Sequence, residues 1–197
     1  MDKKWNEMTS WEKVKKVYNY TFHENQVLSW IANILLAFII VKFIFFPVMG
    51  WALNTELPLV GVISPSMEHE HMNFDSWWID NGQYYEDIGI TKAQFEQFKL
   101  HNGFYKGDVI ALRGREVQLG DIVVYQNEES NRISPYPIIH RVIFINEDDN
   151  SLTVKGDNNP EADRWIVKQE DVKGVVTSFK IPYIGYIKIW FSQLIGG

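Results

Sequence analysis

Hydrophobic and polar positions divide the chain into stretches of different period. From Val27 to Val48 the residues VLSWIANILLAFIIVKFIFFPV are almost wholly apolar, with Lys42 the single charge. As a helix this run spans about 33 Å, enough for a hydrocarbon core of about 30 Å. It is too long for the h-region of a cleavable signal peptide, so a transmembrane helix is predicted over 27–48. Trp30 and Trp51 bracket the run where interfacial aromatics are expected, and Lys42 is placed to snorkel toward the far surface. In the leader, residues 1–26, Trp5, Met8, Trp11, Val14 and Tyr18 recur at helical spacing and Thr9-x-x-Glu12 reads as a capping box. That pattern predicts a short amphipathic helix lying on the membrane face.

Past Trp51 the helical period gives way to short β-branched runs bounded by turn residues: Leu57 to Ile63, Asp108 to Leu112, Asp121 to Gln126, Ile138 to Ile145, Ser151 to Lys155 and Val172 to Phe179. A mainly β domain is predicted over 49–180, with sequential antiparallel pairing as the economical topology. Gly107-Asp108 and Gly120-Asp121 open strands, and Glu147-Asp148-Asp149-Asn150 reads as a hairpin turn. Residues 69–106 break this rhythm and read as a small helical insertion. They cluster Phe74, Trp77, Trp78, Tyr84 and Tyr85, and then present Thr91-x-x-Gln94, a capping box that predicts one short helix through about Lys99. The final segment, 181–197, is apolar but short for a crossing and interrupted by Lys188, which predicts a membrane-proximal stretch.

Charge and composition narrow the partners. The net charge of -6 argues against nucleic acid, which needs a basic surface, and the absence of cysteine removes disulfides, thiolate metal sites and a Cys nucleophile. Lys3, Lys4, Lys13, Lys15 and Lys16 precede the apolar run, and after Lys42 no Lys or Arg occurs until Lys92. The positive-inside rule then places the N-terminus in the cytoplasm and everything from Trp51 outward. The expected location is the cell membrane, as a single-pass protein.

The candidate chemistry begins with Ser66 in Ser64-Pro65-Ser66-Met67-Glu68, close beyond the apolar run. A serine hydroxyl needs a neighbouring base to act as a nucleophile near neutral pH. His140, within the strand Pro137-Ile138-Ile139-His140-Arg141-Val142, is the leading candidate. A base histidine needs a carboxylate to hold its tautomer. Two are available, Asp157 in Lys155-Gly156-Asp157-Asn158-Asn159 and Asp163 beside Arg164. Glycine-rich turn chemistry offers Asp157 a purely structural role, and a surface ion pair offers Asp163 one. His69, Glu70, His71 and Asp75 form a separate cluster with potential for a metal, although without a familiar zinc spacing.

Taken in order, SPSME, GD opening an apolar strand, IIHRV, and KGDNN followed by an Asp-Arg pair resemble the boxes of type I signal peptidases. The similarity is to the archaeal and endoplasmic-reticulum branch, in which histidine replaces the lysine base of the bacterial enzymes, and it extends from the anchor to Tyr183-Ile184-Gly185. The resemblance implies a signal-peptidase-like β-rich catalytic domain and Ser/His acyl-enzyme cleavage of N-terminal signal peptides. Ser66 would be the acylating serine and His140 the base. Asp163 would orient the histidine, with Asp157 supporting or alternative, and the Ser64 hydroxyl with the Ser66 N–H would form the oxyanion hole. It further implies no cofactor and no metal. The implied partners are preproteins with a small-x-small cleavage pattern, bound as an added strand, together with membrane lipid and translocon or accessory subunits. Pro65, His69 and the insertion depart from the usual pattern, where glycine and proline commonly stand at the first two positions. The alternatives are a catalytically inactive, membrane-tethered binding module of the same fold, and a metal-binding module at His69 and His71.

Overall fold

The computed structural model describes residues 5, 8–24, 26–69, 73–114, 116–186 and 190. Among the described residues six strands form one curled antiparallel sheet: β1 (Leu59–Gly61), β2 (Val109–Arg113), β3 (Ile122–Tyr125), β4 (Ile138–Ile145), β5 (Leu152–Lys155) and β6 (Val172–Ile181). Each falls on one of the apolar runs, β2 and β6 running past theirs to Arg113 and Ile181, and the domain is mainly β as expected. Their order across the sheet is β1-β2-β6-β3-β4-β5, so strictly sequential pairing does not hold. β6 enters between β2 and β3, with Val175 facing Arg113 on one side and Val123 on the other. The reason is burial: Val172, Gly174, Val175 and Val176 are all buried, and an edge position would leave one side of that run unpaired in the interior.

Two apolar layers cover the sheet. Because successive side chains on a strand point to opposite faces, Ile122 and Val124 of β3 join a core with Val62, Met67, Phe104, Ile110, Leu112 and Val176. Val123 and Tyr125 join the other, with Val142, Leu152, Val154, Val167, Val172 and Val175. The β4–β5 hairpin turns at 147–150 as read from the sequence, closed by the Asn146 N–H donating to the Ser151 carbonyl at 2.9 Å.

The insertion contains more helix than the sequence suggested. A helix over Phe74–Asp87 is capped by Asn73, whose Oδ1 accepts from the Ser76 N–H at 2.9 Å. It buries Phe74, Trp77, Trp78 and Tyr85, an i, i+3, i+4, i+11 stripe. The Thr91–Gln94 capping box forms, but its helix covers only Lys92–Phe95 and does not reach Lys99. Together these aromatics, Ile90 and Phe95 make a third core against Ile143 of β4.

The chain divides into two compact units, 1–49 and 50–197. In the first, the Thr9–Glu12 capping box opens the helix Ser10–Asn19, with the Glu12 carboxylate accepting from the Thr9 N–H at 2.8 Å. Among the described residues one helix, Gln26–Leu53, is long and apolar enough to cross a membrane. It contains a π turn over Val41–Phe45, where the Phe46 N–H reaches back to the Val41 carbonyl. Pro47 accounts for that widening, since it has no N–H and its ring crowds the carbonyl four residues back. The C-terminal stretch falls largely outside the described residues.

Candidate active site

Backbone contacts on both sides hold the Ser66 loop. After β1, the Val62 N–H bonds the Asp108 carbonyl at 2.8 Å and continues the pairing with the β2 side. The chain then turns, with the Glu68 N–H donating to the Pro65 carbonyl at 3.0 Å. Met67 is buried in the first core, and its carbonyl accepts from the Phe104 N–H at 3.1 Å. On the other side the Ser66 carbonyl accepts from the Asn158 N–H at 2.8 Å, and the Pro65 carbonyl from Asn158 Nδ2 at 3.3 Å. Pro65 lacks an N–H, so it serves this loop only as an acceptor. The two serine hydroxyls are paired, Ser64 Oγ to Ser66 Oγ at 3.1 Å, with Ser64 exposed and Ser66 half-buried.

Strand alternation separates His140 from Arg141. His140 stands opposite Val123, so its side chain shares the face of Val123 and Tyr125. There its Nδ1 lies 2.7 Å from Asp163 Oδ2. Asp163 is brought to this face by its own backbone, whose N–H donates to the Val154 carbonyl of β5 at 2.9 Å. The same Oδ2 accepts the phenol proton of Tyr125, and the Tyr125 oxygen accepts from Trp165 Nε1 at 3.0 Å. Asp163 is therefore no surface ion pair, and both its carboxylate and the His140 ring are largely buried.

Arg141, one residue on, points to the opposite face and lies fully buried against Asp157. Its Nε donates to Oδ1 at 2.9 Å and its second terminal nitrogen to Oδ2 at 2.7 Å. Asp157 also faces His69 Nε2 at 3.2 Å and accepts from the Tyr85 hydroxyl at 3.2 Å. Burial alone would raise this carboxyl, but the Arg141 charge and the hydrogen bonds from His69 and Arg141 outweigh it and hold Asp157 well below the usual carboxylate range. Lys155, on the same face, donates to the Gly156 carbonyl at 3.1 Å, and burial brings its ammonium down to about 8.

The two aspartates left open by the sequence thus occupy different sites, with Asp163 on His140 and Asp157 in a buried cluster with Arg141, His69 and Tyr85. His69 stands where the sequence pattern usually has proline. It is buried and stacked on Trp77 at a centroid distance of 3.9 Å, which ties the insertion to the loop carrying Asp157. Of the rest of the suggested metal cluster, Asp75 alone falls within the described residues. Asp75 pairs with Lys92 at 2.6 Å on the surface, and Glu70 and His71 lie outside the described residues. Among the described residues the Ser66 hydroxyl is hydrogen-bonded to Ser64 and not to His140. Tyr125 and Trp165 were not singled out in the sequence. The signal was a tyrosine closing an otherwise aliphatic strand, and it acquires meaning only once the β3–β4 register is known.

No protein-family model matches the chain. It is 30% identical over 178 residues to the signal peptidase complex catalytic subunit of Schizosaccharomyces pombe, a match covering 85% of this chain and 84% of that protein. The protein of the same description from Komagataella phaffii is 27% identical over 168 residues, covering 77% of this chain and 76% of its own length. The one from Zygosaccharomyces rouxii is 31% identical over 107 residues, 48% of this chain and 61% of that protein. With most of both chains aligned in the first of these matches, and the ordered Ser, His and Asp motifs following an apolar helix in the sequence, the chain belongs to the type I signal peptidases of the endoplasmic-reticulum-like branch, the family of signal peptidase catalytic subunits.

Proposed function

We propose that the chain is a membrane-bound serine endopeptidase that removes N-terminal signal peptides, with Ser66 as nucleophile, His140 as base and Asp163 as the group that orients it. The observation that carries the assignment of roles is the contact between His140 Nδ1 and Asp163 Oδ2 at 2.7 Å. A carboxylate at Nδ1 fixes the proton there and leaves Nε2 as the nitrogen that accepts one. In the reaction, Nε2 takes the Ser66 hydroxyl proton as Oγ adds to the scissile carbonyl. The same nitrogen then protonates the departing amine as the C–N bond breaks, and a water activated in the same way releases the acyl group. The Ser64 hydroxyl, 3.1 Å from Ser66 Oγ, and the Ser66 N–H are the donors for the oxyanion. The Ser66–Ser64 pairing is compatible with this scheme, because catalytic hydrogen bonds tighten on forming the substrate complex.

Substrates are preproteins with small residues flanking the cleavage site, added as a strand along β1, which forms one edge of the sheet and leads into the Ser66 loop. The lysine distribution supports an anchor in the cell membrane with the N-terminus cytoplasmic and the catalytic domain outside. The relatives named as subunits of a signal peptidase complex support translocon or accessory subunits as partners alongside membrane lipid.

The test is cleavage of a small-x-small preprotein by the full chain purified in detergent, compared with Ser66→Ala of matched folding. Cleavage at the signal junction by the wild type alone is expected. Equal cleavage by both would overturn the assignment of the nucleophile.

A further inference from the structure

The Ser66–His140–Asp163 reading leaves a second hydrogen-bonded pair at the same carboxylate without a role. Tyr125 ends β3 with its ring buried in the second core, and its hydroxyl reaches the Asp163 oxygen that faces His140. Behind it stands Trp165, 3.0 Å away. The direction of this chain is set by chemistry. An indole N–H can only donate, so the Tyr125 oxygen is its acceptor, and the single phenol proton is left for Asp163. Burial, then the Asp163 charge, pushes the Tyr125 phenol well above its ordinary value, so it remains a donor at any pH at which the protein works.

We propose that Tyr125 is a positioning residue for the peptidase reaction, acting through Asp163, and that Trp165 aims its hydroxyl. The inference rests on the assignment of His140 and Asp163 made above. A carboxylate bonded only to one imidazole can rotate about its terminal torsion, which is broad. A second donor on Oδ2 from a different strand restricts that rotation and so fixes the imidazole plane. The same bond has an electrostatic effect. It disperses charge on Oδ2 and thereby reduces the stabilisation that Asp163 gives to protonated His140. The Lys155 ammonium of β5, paired opposite Arg141, also feels that carboxylate. Arg141 and Asp157 lie on the opposite face of β4.

Tyr125→Phe keeps the ring and removes the donor. The sign of its effect follows directly. With the hydroxyl gone, Asp163 carries more charge toward His140, the imidazolium is favoured, and the base holds its proton to higher pH. The acid limb of the kcat/KM profile should move up by about half a pH unit or more. The plateau kcat should fall roughly tenfold, the scale of one hydrogen bond to a charged group, with KM little changed. Trp165→Phe weakens the phenol as a donor and should shift the limb in the same direction by less, which provides a second route if Tyr125→Phe does not accumulate. His140→Ala, measured beside them on the full chain, separates the two levels of the argument. Loss of cleavage in His140→Ala together with wild-type kcat and an unmoved acid limb in folded Tyr125→Phe would overturn the positioning role alone. Full activity in His140→Ala would overturn the assignment of the base, and this proposal with it.

Discussion

Asp157 and Asp163 are the same side chain a few residues apart, and their surroundings give them separate work. Asp163 has a histidine and a tyrosine on one oxygen, whereas Asp157 has a guanidinium on both and two further donors. Asp163→Asn should therefore lower kcat by about 10⁴-fold at unchanged folding, since an amide presents the wrong hydrogen-bonding pattern to Nδ1. Asp157→Asn should instead remove about 3–5 kcal/mol of stability by leaving Arg141 buried without its counter-charge, with activity lost only as the fold is lost. Activity and melting temperature measured on both variants in detergent check this, and the reverse ranking would exchange the roles. The depressed Asp157 carboxyl also sets an acid limit. Its unfolded counterpart binds a proton near about 3.9 while the folded one does not. The stabilisation is therefore full above that value and is lost as the pH falls below about 4 toward the folded pKa. Melting temperatures taken from pH 7 downward should fall through that range in the wild type, and the part due to this residue should be absent in Asp157→Asn. Of these residues, Ser66, His140 and Asp163 were legible as motif chemistry. Which aspartate met the histidine was not, because that depends on which face of β4 each side chain occupies and how the 156–163 loop folds back.

Elements read from local pattern were recovered where one periodicity governed them. The six strands fell in β-branched runs, and both threonine capping boxes formed. The position of β6 between β2 and β3 was not legible, since strand order is decided by burial of both faces and not by a strand's own pattern. Nor was the Phe74–Asp87 helix, where clustered aromatics obscured the helical stripe that the third core uses. That insertion bears on the active site through Gly103. With φ +67, a Cβ there would lie 2.3 Å from the Met67 carbonyl, next to the proposed nucleophile Ser66, and 2.6 Å from the His69 ring. Gly89, at φ +87, has open space around the same position. Alanine at either site incurs the left-handed backbone penalty of about 1–2 kcal/mol, but only Gly103→Ala must also displace the loop carrying Ser66. Cleavage rate should therefore fall severalfold more in Gly103→Ala than in Gly89→Ala at temperatures where both are folded. Equal rates would mean that the insertion does not restrain the nucleophile loop.

At the scale of the whole molecule, the proposed chemistry is useful only on the side of the membrane where a preprotein emerges, and the proposed orientation rests on charge. The helix Gln26–Leu53 has 28 residues, about 42 Å, which exceeds a hydrocarbon core of about 30 Å and sets no preference between the two orientations by itself. The proposed preference rests on the five leader lysines, Lys3, Lys4, Lys13, Lys15 and Lys16, against no Lys or Arg between Trp51 and Lys92. Insertion follows this local Lys/Arg bias and disregards net charge, so the overall charge of -6 does not offset it. Replacing all five lysines with glutamine should leave the catalytic domain intact in detergent but distribute it to both sides of the membrane. In sealed, right-side-out vesicles, added protease should reach the domain of essentially every wild-type molecule and spare a substantial protected fraction of the variant. Preprotein processing in cells should fall in proportion to that fraction, while the detergent-solubilised variant should cleave at the wild-type rate. A variant that stays fully accessible would mean that orientation is carried by features other than these lysines, and the proposed outward placement of Ser66 would then need a different physical cause.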